Sequence, residues 1–483
     1  MGETKDKTWL VFSLIILAFI LIEIKALPFY KPGDENVYLY MGKLVSEGVL
    51  PYRDFFYAHP PLQLIVIGIL FKVFGFNMII LNLMPLAAII TGAFFLFRLV
   101  KEKFGSMEAI IAAILFLFTF DMLSLATDFV GTELAVMFFI IGFYFFSREN
   151  YAKSGIFFGL ASVTRLYSLI PILVIFVIVF LRDRKHFLKL VIAFSLIFIL
   201  TNSLLIILFG QNYLAPVYKY HFMKPKAAEP GFGVFYEVIK TNWFLFLSSI
   251  FFIFVKDKRK IGDLLLIALF YILFLFSLNK VFSHYFMLLF VFLAILGGYS
   301  LAYLAKRIKP VNVVYASAII LSLIFMWNAA SDILFLENYS FSRFKAGEEM
   351  VKFIRAYTKD DAIIFGDDSI APLLALTTGR RIAFNFVDTN DMRFKSGITG
   401  IKDATARLEQ IDIVVVRLKQ GIITIEEFRA ELQKKCELIK AFKDSYEGDF
   451  LFYNCKTKEF NVKMSEMLSI SEHAQEPSVL DIT

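Results

Sequence analysis

The stretch PGDENVYLYMGKLVSEGVLPYRDFFYAHPPL, residues 32–62, decides how the rest of the chain is read. It is too polar to lie in a bilayer, and apolar runs flank it on both sides. On its N-terminal side is Trp9 to Ala26, preceded by Lys5 and Lys7. That run has about 18 residues, enough for a spanning helix. No small-residue cleavage site follows it, so it reads as a retained first helix and not as a signal peptide. Asp34 and Glu35 stand just past the outer end of this helix, and Tyr38, Met41 and Leu44 follow at helical spacing. The acids therefore open a short helix, where the dipole favours them as anions. That explanation suffices for an isolated acidic pair. The functional alternative is a general base at the membrane surface, able to take a proton from an acceptor hydroxyl.

Composition agrees with a membrane setting. Of 483 residues 58% are hydrophobic, Phe alone occurs 58 times, and the mean hydropathy is +0.68. A soluble core cannot bury that much apolar surface, because single cores stop growing near about 250–300 residues. The formal charge is +7 and the pI about 9.0. Lys and Arg lie between apolar runs and form no basic stripe with interleaved aromatics, which excludes nucleic-acid binding and points to topology signals and headgroup contacts. The two cysteines, Cys436 and Cys455, have no metal-ligand spacing. They read equally as one disulfide or as two separate thiols.

Further apolar stretches run over about 76–98, 107–120, 129–146, 155–181, 187–209, 243–255, 261–278, 282–304 and 311–328. Basic clusters separate them: Arg98/Lys101/Lys103, Arg148/Lys153, Arg182/Arg184/Lys185/Lys189, Lys256/Lys258/Arg259/Lys260 and Lys306/Arg307/Lys309. One threading puts every cluster on the cytoplasmic side. It requires that 60–75, which opens on Pro60-Pro61 and contains Lys72, does not cross. It also requires that 155–181 goes up and returns, with Arg165 near its turn and Pro171 after it. An Arg in mid-bilayer is costly, whereas at such an apex it faces a polar cavity or the outer surface. The expected fold is an α-helical polytopic membrane protein of about eleven transmembrane helices with a small C-terminal α/β domain outside. The outer face then carries the first loop, about 28–75, the loop at 121–128, the loop at about 210–242, Arg165 and the stretch from Lys280 to His284.

The membrane part is expected over 1–340, the α/β domain over 341–457 and a flexible tail over 458–483. Residues 344–357 and 424–440 read as helices, and 362–368, 412–418 and 451–455 as strands. Asp367 and Asp368, at a strand end, read as a solvated turn or as a metal or sugar site.

The stretch from Gly33 to Leu62 resembles the first loop of GT-C glycosyltransferases, closest to the protein O-mannosyltransferase-like and lipid A aminoarabinose transferase-like enzymes. The shared positions are Asp34, Glu35, Tyr38, Gly48, Pro51, Tyr52, Asp54, His59, Pro60, Pro61 and Leu62. LATDFVGTEL (125–134) resembles the family's second acidic loop, with Asp128 at its key position. GLASVTRLYSLIPIL (159–173) resembles its hairpin, with Arg165 at the phosphate-contacting place, and SLNKVFSHYFMLLF (277–290) resembles the Lys…Tyr stretch before a late helix. The resemblance covers roughly residues 8–330. It implies the GT-C fold, with the non-spanning helix and broken hairpin that the charge rule also requires. It further implies sugar transfer from a polyprenyl-phosphate donor (dolichyl or undecaprenyl) to a hydroxyl on protein, lipid or glycan. The resemblance implies that transfer proceeds with inversion at the extracytoplasmic face of the plasma membrane.

On this resemblance Asp34 is the general base, and Glu35 and Asp128 orient acceptor or sugar. Arg165, His59 and Lys280 meet the donor phosphate, since a departing phosphate needs cationic or hydrogen-bonding partners. Tyr38, Tyr52, Asp54, Tyr220, His221 and His284 contact substrate, and Lys224 joins Tyr220 and His221 in a cover over the donor. Blander roles exist for several: Arg165 snorkelling to the surface, His59 at a helix start, Glu133 pairing with a neighbouring helix, and Lys280 with His284 as headgroup contacts. The first loop has no DxD, so no metal cofactor is inferred from it, although a divalent ion is not excluded. The absence of a WWD-type motif argues against en bloc transfer to asparagine. A transporter or flippase of lipid-linked sugars is the main alternative, but no inverted repeat is visible and the polar residues gather on one face. A sensor with a membrane anchor is a third reading, for which so many helices are excessive.

Overall fold

The computed structural model describes residues 7–225, 232–307, 311–339 and 343–456. The expected tail at 458–483 lies outside them. The chain divides between Phe344 and Lys345 into two compact units.

The first unit is helical. Helix Thr8–Glu23 is apolar almost throughout and ends on Glu23. Helix Met78–Lys103 starts where the Asn77 side chain accepts a hydrogen bond from the Ile80 N–H, and it ends on Lys101 and Lys103, which suit the negative end of the dipole. Among the described residues, Met78–Lys103, Arg184–Phe209 and Ser283–Ala305 are long and apolar enough to cross a membrane. The pair Phe232–Thr241 and Trp243–Phe254, bent by 87°, makes a fourth if counted as one span. Among the described residues six apolar helices of 10–17 residues, Leu62–Phe74 included, individually fall short of the ~20 needed to cross without thinning or help.

The two segments that the charge pattern singled out are a short helix and a broken run. Residues 62–74 form a 13-residue helix behind Pro60-Pro61, packed on helix Asp34–Ser46. The run at 155–181 breaks: helix Tyr151–Ser162 ends, Arg165 is extended at φ −142°, a 3-10 turn covers Leu166–Ser168, and helix Leu169–Arg182 follows. Two other segments differ from expectation. The loop expected over about 210–242 is helical at Phe232–Thr241, which meets Trp243–Phe254 at an 87° bend on Asn242. Its amide binds Asp121 Oδ2 at 2.5 Å and the Val238 carbonyl at 3.0 Å, and side-chain insertion of this kind kinks helices. The last apolar helix continues past 328 to Tyr339. Hydropathy falls at Asn328 and Asp332, yet these residues hydrogen-bond one turn apart at 2.9 Å, and Asn328 also accepts from Trp243 Nε1 at 2.6 Å.

The second unit has a five-stranded sheet in the order β2-β1-β3-β5-β4. Its strands are β1 (Ile363–Gly366), β2 (Arg381–Ile382), β3 (Ile413–Arg417), β4 (Glu437–Asp444) and β5 (Gly448–Asn454). β1 is parallel to β2 and β3, while β5 is antiparallel to β3 and β4. Gly366 has φ +140°, and a Cβ there would lie 1.7 Å from the Val415 carbonyl oxygen, so only glycine lets β1 approach β3 this closely. The helix expected over 424–440 is corrected: it spans Glu426–Lys435, and the chain from Glu437 is strand β4. β4 is an edge strand with charges toward solvent, a pattern that imitates a polar helix. Its start is tied to the end of β5 by a disulfide between Cys436 and Cys455, 19 residues apart. A loop of that length contributes about 3 kcal/mol by chain entropy. Cys455→Ser should therefore lower the denaturation midpoint of this unit, and peptide mapping of the wild type should find the two cysteines linked until reductant is added.

Asp367 and Asp368 are both buried, so they do not form a solvated turn. Asp367 accepts from the Ser369 backbone N–H at 3.0 Å and from the Ser369 hydroxyl. Burial pushes its carboxyl upward, against the pull of those bonds and of Arg417. Among the described residues no group of three His, Cys, Asp or Glu could hold a metal ion.

Candidate active site

The first loop places its acids by local rules. Gly33 precedes the helix in extended conformation, and Asp34 and Glu35 fill the first helical turn. Successive residues of a helix point about 100° apart, so the two diverge: Asp34 is exposed and Glu35 is buried. The Glu35 carboxyl is held well above the usual carboxylate range by burial first and then by the nearby charge of Asp128, with Lys31 pulling the other way. Asp128 arrives from the second loop and meets Lys31 Nζ at 3.6 Å. A cavity of about 20 Å³ lies here, lined by Lys31, Glu35, Asn36, Asn82, Thr127 and Asp128 among others. Glu23, at the end of the first helix, is fully buried behind this group and within electrostatic reach of Asp128 and Lys31.

Gly33 makes room for this arrangement, since a Cβ on it would fall 2.2 Å from Glu35 Oε2. The obstructed atom is the end of a flexible side chain, so Gly33→Ala should fold but displace the carboxylate. Its melting temperature should stay near wild type while transfer falls about ten- to a hundredfold. Parallel melting and rate measurements check this.

A second pole is cationic. Arg165, at the helix break, is only 2% exposed, yet its Nη1 has no hydrogen-bond partner. Its guanidinium lies over the Tyr38 ring at 5.1 Å. Its Nη2 would come within 2.9 Å of a Cβ placed on Gly131. Tyr38 Oη and His59 Nε2 share a hydrogen bond of 3.2 Å, and the rings of His59 and His221 are 5.5 Å apart. His221 Nε2 donates to the Ala58 carbonyl at 2.8 Å. Burial, then Arg165 and the neighbouring His221 and Lys224, hold His59 well below its ordinary pKa, and burial takes His221 down to about 3. Both are therefore neutral hydrogen-bonding groups at neutral pH, and the fixed charges are those of Arg165 and Lys224. His284 is within reach of both of these cations. The two poles meet at Tyr285, on which Arg165 and Asp34 both act.

The structure thus gathers Asp34, Glu35, Asp128, Tyr38, His59, Arg165, His221 and His284. Tyr220 is buried against Phe56, with Lys224 over its ring at 4.9 Å. Lys280 stands one aromatic ring away: it and Lys224 lie over Phe282 at 5.4 and 5.5 Å, and Lys224 is the lysine that acts on the histidines. Tyr52 and Asp54 are both engaged within the protein. Tyr52 is buried, donates to the His59 carbonyl at 2.7 Å and packs on Tyr213, while Asp54 accepts from the Leu50 N–H at 2.9 Å and from Arg53. These contacts hold the loop in shape. Glu133 accepts from the Gly131 N–H at 2.9 Å, capping the start of its own helix.

Three residues escaped the sequence reading. Gln63 is fully buried, accepts from Tyr57 at 3.1 Å and donates to the Phe129 carbonyl at 2.8 Å, joining the first loop to the second. Its signal was a lone amide opening an apolar run. Glu23 is likewise a lone acid ending one, and Lys31 a lone cation just before the acidic pair.

Comparisons with known proteins bear on the fold. The structure is similar to that of ArnT from Cupriavidus metallidurans bound to undecaprenyl phosphate, with a TM-score of 0.67 at 13% identity over 92% of this chain and 98% of that one. It is also similar to the oligosaccharyltransferase of Archaeoglobus fulgidus in complex with Zn and sulfate, with a TM-score of 0.58 at 13% identity over 92% and 73%. The chain has the GT-C glycosyltransferase fold that its first loop led us to expect. Residues 58–206, from the end of the first loop through the Arg165 break, match the model of the dolichyl-phosphate-mannose-protein mannosyltransferase family. No curated protein matches the sequence.

Proposed function

We propose that this chain transfers a sugar from a polyprenyl-phosphate carrier to a hydroxyl acceptor, with inversion, on the extracytoplasmic side of the membrane. The observation that carries the reading is Arg165, a buried guanidinium with an unpartnered Nη1, set across Tyr38 and Tyr285 from an acidic helix start. A charge buried without its full complement of partners is expensive, and a phosphate ester supplies the missing acceptor.

Asp34 takes the proton from the acceptor hydroxyl as its oxygen attacks the anomeric carbon. The bond from that carbon to the phosphate oxygen breaks on the opposite face, and the carrier leaves with one more negative charge. Arg165 meets that charge, with hydrogen bonds from Tyr38, His59 and the neighbouring histidines. Glu35 and Asp128 orient the acceptor or the sugar. Lys224, Tyr220 and His221 close over the donor, with Lys280 at the edge. The basic clusters put this face outside, and a disulfide in the second unit suits an oxidising compartment.

The test uses purified chain, synthetic labelled polyprenyl-phosphate sugars and a membrane extract. Transfer of label with matching release of polyprenyl phosphate supports the proposal. Carrier movement across liposomes without transfer from any donor favours a flippase instead.

A further inference from the structure

Lys31 stands among the acids of the first pole. Its ammonium pairs with Asp128, both side chains being largely buried, and it is within electrostatic reach of Glu35 and Glu23. Glu23 is completely buried, and neither of its carboxylate oxygens has a hydrogen-bond partner. Three carboxylates from three parts of the chain thus converge on one lysine: Glu23 from the first helix, Glu35 from the first-loop helix and Asp128 from the second loop. The backbone that carries Lys31 is clamped to the same helix start, because Asn36 Nδ2 donates to the Lys31 carbonyl at 2.8 Å and to the Gly33 carbonyl at 3.2 Å. A compact ammonium with three donors suits such a setting.

We propose that Lys31 is a positioning residue, a built-in counter-cation whose ammonium holds Glu23, Glu35 and Asp128 in one arrangement and so fixes the acidic wall against which the acceptor is placed. The inference rests on the transfer reaction proposed above. With Lys31 gone, the carboxylates lose the cation between them, and Glu35 loses the charge that opposes its burial. The groups facing Glu35 are Asp34 on its own helix, Lys31 on the preceding loop and Asp128 on the second loop. Loss of the lysine therefore moves the acid limb of the rate profile to higher pH.

The test compares wild type with Lys31→Ala and Lys31→Arg at equal expression. Lys31→Ala should lower kcat by about tenfold or more with the donor KM nearly unchanged. Propylammonium, which replaces the atoms removed, should restore much of the rate, and Lys31→Arg should retain more activity than Lys31→Ala. A melting-temperature cycle gives a readout free of turnover: adding Glu23→Gln to Lys31→Ala should recover part of the midpoint that Lys31→Ala loses. Wild-type rate and pH profile in Lys31→Ala would overturn the proposal. So would a loss that neither propylammonium nor arginine reverses, or a wild type that a chelator inactivates and a divalent ion restores. If wild type transfers from no donor, the functional reading fails by itself, and the melting cycle still decides the role of Lys31: additive midpoints refute it.

Discussion

Asp34→Asn should lower kcat for transfer by about 10²- to 10⁴-fold, the range a general base contributes, while the KM for the donor changes little. The substitution is nearly isosteric, and asparagine is well tolerated at a helix start, so the variant should express and melt like wild type. The choice between Asp34 and Glu35 follows from their surroundings. Where two neighbouring carboxyls are pushed apart in proton affinity, the environments divide the roles. Glu35 is buried, and desolvation and then the charge of Asp128 raise its proton affinity. Asp34 is exposed at the same helix start, where the dipole favours the anion. In the proposed reaction Asp34 is the acceptor of the proton and Glu35 an orienting group, so Glu35→Gln should cost less than Asp34→Asn. Equal transfer by wild type and Asp34→Asn would remove Asp34 from the chemistry.

The second large effect is expected at Arg165. Arg165→Gln should reduce kcat/KM by about 10³-fold, the loss seen when a group facing a developing charge is removed. Both kcat and donor KM should change, because the guanidinium meets the carrier phosphate before and during departure. The expected loss exceeds that of Lys280→Gln, since Lys280 stands beyond the Phe282 ring and Arg165 lies under Tyr38. Arg165→Lys should recover only part of the rate, because a lysine cannot reproduce the planar fork. Measuring both kinetic constants on refoldable protein separates this from a packing defect, which would lower the melting temperature without the split.

Much of this arrangement was legible in the sequence. The charge rule alone required a break near Arg165, and the break is present because a mid-run Arg makes a straight crossing costly; after Pro60-Pro61 the chain forms a short 13-residue helix. The acidic and basic residues that gather at the site were readable as a set because they lie on loops and helix ends. The shortfalls have physical reasons. Strand β4 looked helical because an edge strand shows charges to solvent on both faces. The bend at Asn242 depends on its partner Asp121, 121 residues away, which no local pattern reveals. Tyr52 and Asp54 matched a motif, and their contacts give them a loop-shaping role that the motif alone does not reveal. Glu23 and Lys31 were invisible as a pair because their meaning arises only when the first helix, the first loop and the second loop converge.

The account stands on the polarity of the site, with phosphate at the arginine and acceptor at the acids. A cryo-EM structure of the chain bound to polyprenyl phosphate tests it most directly. The account predicts the phosphate within about 3 Å of Arg165 Nη1, with Tyr38 and His59 beside it and Asp34 left open toward the acceptor. Phosphate bound at Lys31 among Glu35 and Asp128, or away from Arg165 altogether, would contradict it.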